Sequence, residues 1–584
     1  MEAVKEIPYG MSNFEEVIMQ NRYYVDKTMY IPELEQQANY LIFIRPRRFG
    51  KSLLLSMLRS YYDIGQKEKF ERLFGDLWIG KHPTRRQGTY QVLHLDFSQI
   101  GGQVDDLEEW FDSYCAVQLD GFMDRYREYY DENILRRFYG TEKSRTKLDI
   151  LNAEAGRLRY PLYLIIDEYD NFTNVVLNER GEGVYRAITH ASGFYREAFK
   201  KYKGMFDRIF MIGVSPVTLD DLTSGFNIGW NISTDPRFNM LLGFSEKDVR
   251  TMLRYYSEAG ALKGDVEAII EEMRPWYDNY CFARRSLNVD PKMFNSDMVL
   301  YYLQNRLRQG TAPETMVDPN TRTDYNKMKR LIRLDQLDGD RKGVIHRIVE
   351  EGQILSRLFD SFPAERITNP DIFPSLLFYY GMLTIVGTRG ERLILGIPNN
   401  NVRKQYYEYL LEEYRAQDVT SLDHLKDLYD QMAFDGEWRP ALEFIARTYK
   451  ENSSVRSGIE GERNIQGFFT AYLSVSAYYL LAPELELDHG FCDMFLMPDR
   501  GRYPEVAHSY ILELKYLPRE RTETEATRQW DEAVDQIHRY AEAPRVRQLC
   551  QGTTLHRIVA QFRGWELERM EEVEFLYPAS QNGR

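Results

Sequence analysis

The sequence predicts an α/β protein in three parts. A parallel sheet covered by helices on both faces occupies 1–244, a helical region 245–450, and a small mixed α/β domain 451–584. Three observations predict it. In the first part apolar strands alternate with helix-like stretches, and each strand is apolar almost throughout, as strands buried on both faces are. Strand-like runs become scarce from Ser245 onward. They return in the last segment, where strands and helices mix again. With 584 residues, 43% of them hydrophobic, the chain has material for several buried cores.

The first strand is Tyr40 to Ile44, followed by a basic loop and a Leu-rich helix. Val92 to Phe97 is the second strand, and residues 104–158 read as a long polar helix-like stretch. Tyr160 to Ile166 and Arg208 to Val214 are the third and fourth strands. Residues 245–275 have the spacing of amphipathic helices. The stretch 312–346 is polar and reads as a linker or solvated helices; its Lys327 to Arg333 cluster is the alternative, a nucleic-acid-contacting patch. Ser375 to Tyr380 reads as a helix. A hairpin follows, Leu383 to Val386 and Leu393 to Ile397, joined through Gly387-Thr388-Arg389-Gly390. A helix followed by such a β-wing suggests a winged-helix unit. Residues 402–450 are helical. The last segment reads as helix 462–481, strands 485–489, 491–497 and 509–516, helix 525–541 and strand 555–562.

Lys plus Arg number 75 and Asp plus Glu 89, a net charge of −14. That field repels polyanions, so nucleic-acid contact must come from a local basic patch or a bound metal. The four cysteines lie far apart without a C-x-x-C pair, which fits a reducing compartment and excludes a cysteine-built zinc site. Met1 to Gly10 lacks the apolar core of a signal peptide, and no run approaches 18 apolar residues. The expectation is a soluble, cytoplasmic protein with no membrane partner. His489 and His508 read as surface residues, and no Ser/His/Asp or Cys/His nucleophile set is apparent.

Two constellations carry chemistry. Arg45-Pro46-Arg47-Arg48-Phe49-Gly50-Lys51-Ser52 lies between an apolar strand and a helix, the setting of a phosphate-binding loop. Backbone N–H groups over Arg48, Phe49 and Gly50 would cradle phosphates at the helix N-terminus. Lys51 would reach the β- and γ-phosphates and the Ser52 hydroxyl would sit on Mg²⁺. Arg45 stands where the loop pattern opens on glycine, which calls the backbone geometry at that position into question. The strand ending at Ile166 carries Asp167-Glu168. Asp167 would hold Mg²⁺ through water and Glu168 would polarise the attacking water. Ser215, at the end of the fourth strand, would sense the γ-phosphate.

The second constellation lies near the C-terminus. Asp493 follows Cys492 in an apolar strand, and Glu513 and Lys515 share one face of the next because residues i and i+2 do. If the two strands pair, Asp493 joins them. Asp493 and Glu513 are hard oxygen ligands for Mg²⁺, with the Leu514 carbonyl as a third. Such a metal stabilises charge on phosphorus and acidifies a bound water. Lys515 would position or deprotonate that water, with its pKa lowered by burial and the metal. Glu462 edges the apolar face of the preceding helix, and Gln536 borders the stripe of the following one.

Over residues 7–244 the chain resembles the AAA-ATPase-like P-loop proteins of anaerobic bacteria. The resemblance rests on the Tyr24 to Thr28, Arg45 to Ser52, Leu95 to Ser98, Ile166 to Asp170, Gly213 to Val217 and Ser224 to Ile228 runs. That family carries Arg at the position of Arg45. The resemblance implies ATP binding in a switch or motor. Trp276 to Phe282 resembles a lid-boundary segment of the same family. Over about 455–565 the order of elements, with Glu462, Asp493, Glu513-x-Lys515 and Gln536, resembles the restriction-endonuclease-like PD-(D/E)XK superfamily. Together these imply an ATP- and Mg²⁺-dependent nuclease acting on DNA. The alternatives are an ATP-gated switch or scaffold that binds a partner without cleaving, and an ATPase motor with another substrate. Self-association into a homo-oligomer is left open.

Overall fold

The computed structural model describes residues 3–100, 106–155, 161–170, 194–216, 229–288, 292–313, 315–318, 341–362, 369, 371–415, 422–453, 461–487 and 490–574. The chain forms two compact units, one of residues 1–342 and 354–399 and one of 343–353 and 400–584. This grouping differs from the three-part division at 244 and 450, because the helices after Ser245 pack with the first sheet's unit rather than apart from it.

In the first unit, β1 (Tyr40–Ile44) leads into α1 (Lys51–Tyr62). Then come β2 (Gln91–Asp96), α2 (Leu107–Arg125), α3 (Glu132–Tyr139), α4 (Ser144–Ala155) and β3 (Leu162–Asp167). The sequence reading treats 104–158 as one stretch. Asp131 breaks it by capping α3 with its side chain, which accepts from the Asn133 and Ile134 N–H groups. After α5 (Phe194–Met205) follow β4 (Arg208–Gly213) and a two-residue β5 (Trp230–Asn231), too short for any pattern to reveal. The sheet is parallel throughout, in the order β2-β3-β4-β1-β5. Every residue of β3 and β4 is buried. Because β4 separates β1 from β3, the carboxyl ends of all three open on one crevice, where ligands bind in open α/β sheets.

The unit continues with α6 (Glu246–Glu258), α7 (Val266–Tyr277) and α8 (Ser296–Gln309), then β6 (Gln353–Ser356), α9 (Phe373–Tyr379), β7 (Thr384–Arg389) and β8 (Arg392–Gly396). The three strands form a sheet in the order β6-β8-β7. The hairpin turn is Gly390-Glu391, not the expected 387–390. Gly387 pairs with Ile394 beside a register shift, so it marks a bulge rather than a turn. The Lys327 to Arg333 cluster and residues 217–228 lie outside the described residues, as does His489.

The second unit holds α10 (Asn400–Arg415), α11 (Leu422–Asp430), α12 (Arg439–Ser453), α13 (Glu462–Leu473), β9 (Tyr479–Leu487), β10 (Gly490–Pro498), β11 (His508–Leu517), α14 (Glu523–Glu542), β12 (Thr554–Arg563) and β13 (Glu566–Glu572). Its sheet runs β9-β10-β11-β12-β13. The β11/β12 pair is parallel and the others antiparallel. A parallel pair needs a crossover, and α14 supplies it. A Thr522/Glu525 capping box starts that helix, and Trp530, Ala533 and Ile537 pack on Phe495, Ile511 and Val559. The expected helix to 481 ends at Leu473; the apolar Tyr479-Leu480-Leu481 run, ambiguous by periodicity, pairs with β10 instead. No alternation in the sequence reveals β13. It is an edge strand with only Met570 buried, and its charged exposed faces hide the pattern. Among the described residues no helix is long and apolar enough to cross a membrane.

Candidate active sites

At the end of β1, Arg45 is 1% exposed. Its guanidinium donates to the carbonyls of Ile44 (2.9 Å), Ser233 (2.7 Å) and Phe238 (2.9 Å). It lies 4.3 Å from the ring centroids of both Phe43 and Phe282. Burial pulls its pKa down to about 9. The left-handed backbone falls instead on Arg48 (φ 68°) and Gly50 (φ 90°). An arginine in that region is strained. The Arg48 carbonyl accepts from Ser296 Oγ and the Asp297 N–H, each at 3.2 Å, and its guanidinium donates to Asp297 (2.6 Å) and Asp318 (3.2 Å). The start of α8 thereby holds the loop. Phe49 is buried edge-on against Tyr280 and Phe282.

Beyond the loop lies a cavity of about 400 Å³. Arg48, Phe49, Gly50, Lys51, Ser52 and Glu168 line one side. Tyr23, Tyr24, Leu241, Leu242 and Leu300 supply an apolar wall that the sequence reading does not find. Lys51 is 7% exposed, and its Nζ donates to the Pro46 carbonyl at 3.0 Å. Among the described residues it has no ion-pair partner. Burial lowers its pKa, against the pull of Glu168 and Asp167. A buried ammonium facing a cavity suits an anionic ligand, so the residues fit a nucleoside triphosphate.

Ser52 Oγ donates to Asp167 at 2.8 Å, bringing together the two groups expected on Mg²⁺. Burial lifts Asp167 to about 6, opposed by the Ser52 hydrogen bond. Ser215 is fully buried and outside the cavity lining; its N–H donates to Asp170 at 2.8 Å. Asp170 also accepts from the Val214 N–H. The approach is so close that a Cβ on Gly213 would stand 2.4 Å from Asp170 Oδ1, which accounts for glycine there.

In the second unit, pairing of Met494 with Leu512 sets Asp493 next to Glu513 across β10 and β11. Asp493 accepts from the Leu514 N–H (2.8 Å) and from Gln466 Nε2 (2.9 Å). Lys515 Nζ lies 2.8 Å from Glu513 and 4.0 Å from Glu462. Glu513 is 1% exposed, and its Oε2 has no hydrogen-bond partner among the described residues. Burial and then the Glu513 charge raise Asp493 to about 8; burial also raises Glu513. Burial alone would lower Lys515, but Asp493, Glu513 and Glu462 outweigh it and hold its pKa above the ordinary value. The expectation of a lowered lysine presupposes a bound cation; without one, the three carboxylates hold Lys515 as an ammonium.

An orphaned carboxylate oxygen among acids that outnumber their lysine fits a divalent cation. Among the described residues no three His, Cys, Asp or Glu side chains form a metal cluster, so the acidic donors are the Asp493/Glu513 pair. A proton at Asp493 competes with the metal. Mg²⁺ affinity, followed by calorimetry, is expected to fall about tenfold per pH unit below about 8.

Gln536 Oε1 is buried without a partner among the described residues. One turn on, Tyr540 is raised to about 12, first by burial and then by the Glu513 charge. Sequence reading places Tyr540 in the packing stripe and overlooks Gln466; its spacing of four from Glu462 is the signal that would have found it. His508 is no isolated surface residue, since its Nδ1 lies 2.8 Å from His556 Nε2 and His556 Nδ1 lies 2.7 Å from Glu572.

Comparison with known proteins adds to this geometry. Residues 8–223 match the family model for a predicted AAA-ATPase, and residues 460–572 match that for the PD-(D/E)XK nuclease superfamily. A curated protein of Azotobacter chroococcum mcd 1, described as an uncharacterized protein in the vnfD 5′ region, is 24% identical over 443 residues, 73% of this chain and 74% of that protein. The solved structure of the Aeropyrum pernix Orc1 protein in complex with DNA is similar over 69% of this chain and 94% of its own. Its identity is 12% and its TM-score 0.24, too low for a fold argument.

Proposed function

The chain joins an AAA-ATPase-like region, 8–223, to a PD-(D/E)XK nuclease-superfamily region, 460–572, and from that we propose an ATP-binding and ATP-hydrolysing, Mg²⁺-dependent nuclease that cleaves phosphodiester bonds in DNA in the cytoplasm. The observation that carries the cleavage is the trio of Asp493, Glu513 and Lys515, drawn together with one Glu513 oxygen unpartnered among the described residues. Asp493 and Glu513, with the Leu514 carbonyl, would hold the cation, which when bound supplies a Lewis acid and a more acidic water. The Leu514 N–H and Gln466 fix the Asp493 carboxylate. With both carboxylates committed to a cation, Lys515 would be free of its pair with Glu513 to face the phosphate or orient water. Glu462, 4.0 Å from Lys515, would serve as a positioning group, and Gln536 and Tyr540 on the following helix would be further ones.

In the first unit, Lys51 would exchange the Pro46 carbonyl for the β- and γ-phosphates. Ser52 and Asp167 would hold the nucleotide's Mg²⁺, and Glu168 would orient water at the cavity wall. Ser215 would act on the γ-phosphate through Asp170, which accepts from its N–H at the end of the neighbouring strand.

The test is nicking of supercoiled plasmid in Mg²⁺ or Mn²⁺, with and without ATP. Wild type is expected to cleave and Lys515→Ala to be slower by about 10² or more. Inertness of wild type on plasmid and single-stranded DNA alike would overturn the reading. Separately, Lys51→Ala is expected to weaken binding of a fluorescent ATP analogue by tenfold or more, as loss of a charge-assisted phosphate contact should.

A further inference from the structure

The first unit carries a second cationic feature, away from its nucleotide cavity. Arg389 and Arg392 are cross-strand partners at the end of the β7/β8 hairpin. Both are exposed, as are Thr388, Gly390 and Glu391 between and beside them. Arg284, also exposed, donates to the Gly390 carbonyl at 2.7 Å. That bond brings the turn Arg284–Asn288, with exposed Arg285, against the hairpin tip. Four exposed arginines thus lie on the hairpin tip and the turn packed against it, with Glu391 in the same tip. Among the described residues the side chains of Arg285, Arg389 and Arg392 have no hydrogen-bond or ion-pair partner.

Like charges directly opposite each other across a strand pair destabilise a hairpin. In a chain of net charge −14, acids to neutralise them are abundant, yet among the described residues Glu391 is the single acid of the hairpin tip and the adjoining turn, against four arginines. A polyanion would supply the missing counter-charge. We infer that the Arg284/Arg285/Arg389/Arg392 tip is a contact surface for the phosphate backbone of duplex DNA. It deepens, and rests on, the nucleic-acid reading above. Duplex is favoured over single strand because the tip offers no aromatic ring for base stacking, on which single-strand binders rely. A narrow, arginine-tipped ribbon is a shape that DNA grooves admit.

The experiment measures anisotropy of a labelled 20-base-pair duplex, and of the same single strand, with the full chain over a range of KCl concentrations in EDTA. Wild type is compared with the double variant Arg389→Ala/Arg392→Ala. Each lost phosphate contact removes about 0.9 from the slope of log affinity against log salt. The double variant is therefore expected to lose nearly two units of slope and roughly tenfold or more in duplex affinity, with ATP-analogue binding unchanged. Equal slopes for the two proteins, or no duplex binding by wild type, would overturn the inference and leave an acidic protein surface as the occupant. A single strand bound as tightly, with the same loss, would overturn the duplex assignment. Plasmid cleavage in Mg²⁺ is scored in parallel. A slope change without cleavage keeps the tip and removes the nuclease reading; cleavage with equal slopes does the reverse.

Discussion

Arg45→Gly, which restores the glycine that usually opens a phosphate-binding loop, is expected to lower the unfolding midpoint of the first unit by roughly 10 °C. Position 45 needs no glycine, because the left-handed residues of this loop are Arg48 and Gly50. What the position holds is a guanidinium with three carbonyl acceptors and two aromatic faces. Glycine would leave three carbonyls unsatisfied and a hole between Phe43 and Phe282. Lost charge-assisted bonds, lost cation–π contacts and an unfilled cavity together cost on the order of 4 kcal/mol. Arg45→Lys should recover little, since a point charge cannot serve three acceptors in a planar fork. Thermal unfolding followed by fluorescence checks both variants. A midpoint within 2 °C of wild type for Arg45→Gly would show that the buried arginine is dispensable.

The same residue shows what a sequence can and cannot disclose. The strand, loop and helix around Gly50-Lys51-Ser52 were legible because apolar runs and a glycine punctuate them. The job of Arg45 was not, because its partners Ser233, Phe238 and Phe282 are about 190 residues or more away in the chain, as their positions show. The pairing of Asp493 with Glu513-x-Lys515 was legible in part. Alternation puts Glu513 and Lys515 on one face, but only the register of β10 on β11 sets Asp493 beside them. Gln466 and Tyr540 escaped because each sits on a helix whose dominant signal is packing. The far wall of the cavity beside the loop, Tyr23, Tyr24, Leu241 and Leu242, escaped for a plainer reason: apolar residues that line a cavity look the same in sequence as those that fill a core. Ser215 kept its predicted place at the end of a strand, but its N–H is spent on Asp170.

Glu513→Gln is expected to abolish cleavage, by about 10³-fold, while making the metal-free protein more stable. The two effects have one cause. Glu513 is buried beside Asp493, and burial followed by the Glu513 charge lifts the Asp493 carboxyl from 3.8 to about 8. The folded protein therefore keeps a proton that the unfolded chain releases near pH 4. Metal-free stability must fall as pH rises from about 4 to about 8, by at most about 1.4 kcal/mol per unit for that one group. Glutamine keeps the shape and the acceptor for Lys515 but removes the repulsion, so the pH slope flattens and the midpoint at pH 8 rises by a few degrees. A cation does the same for wild type: at a hundred times its dissociation constant it adds about 2.7 kcal/mol. The variant, short of a charged ligand, should gain little from 10 mM Mg²⁺. Losing several kcal/mol of charge stabilisation at the reacting phosphate accounts for the rate. Unfolding at pH 6 and 8, with EDTA or Mg²⁺, separates this from the simpler case of a structural Glu513–Lys515 ion pair. If glutamine destabilises the protein and Mg²⁺ shifts both midpoints equally, the carboxylates hold a lysine and not a metal.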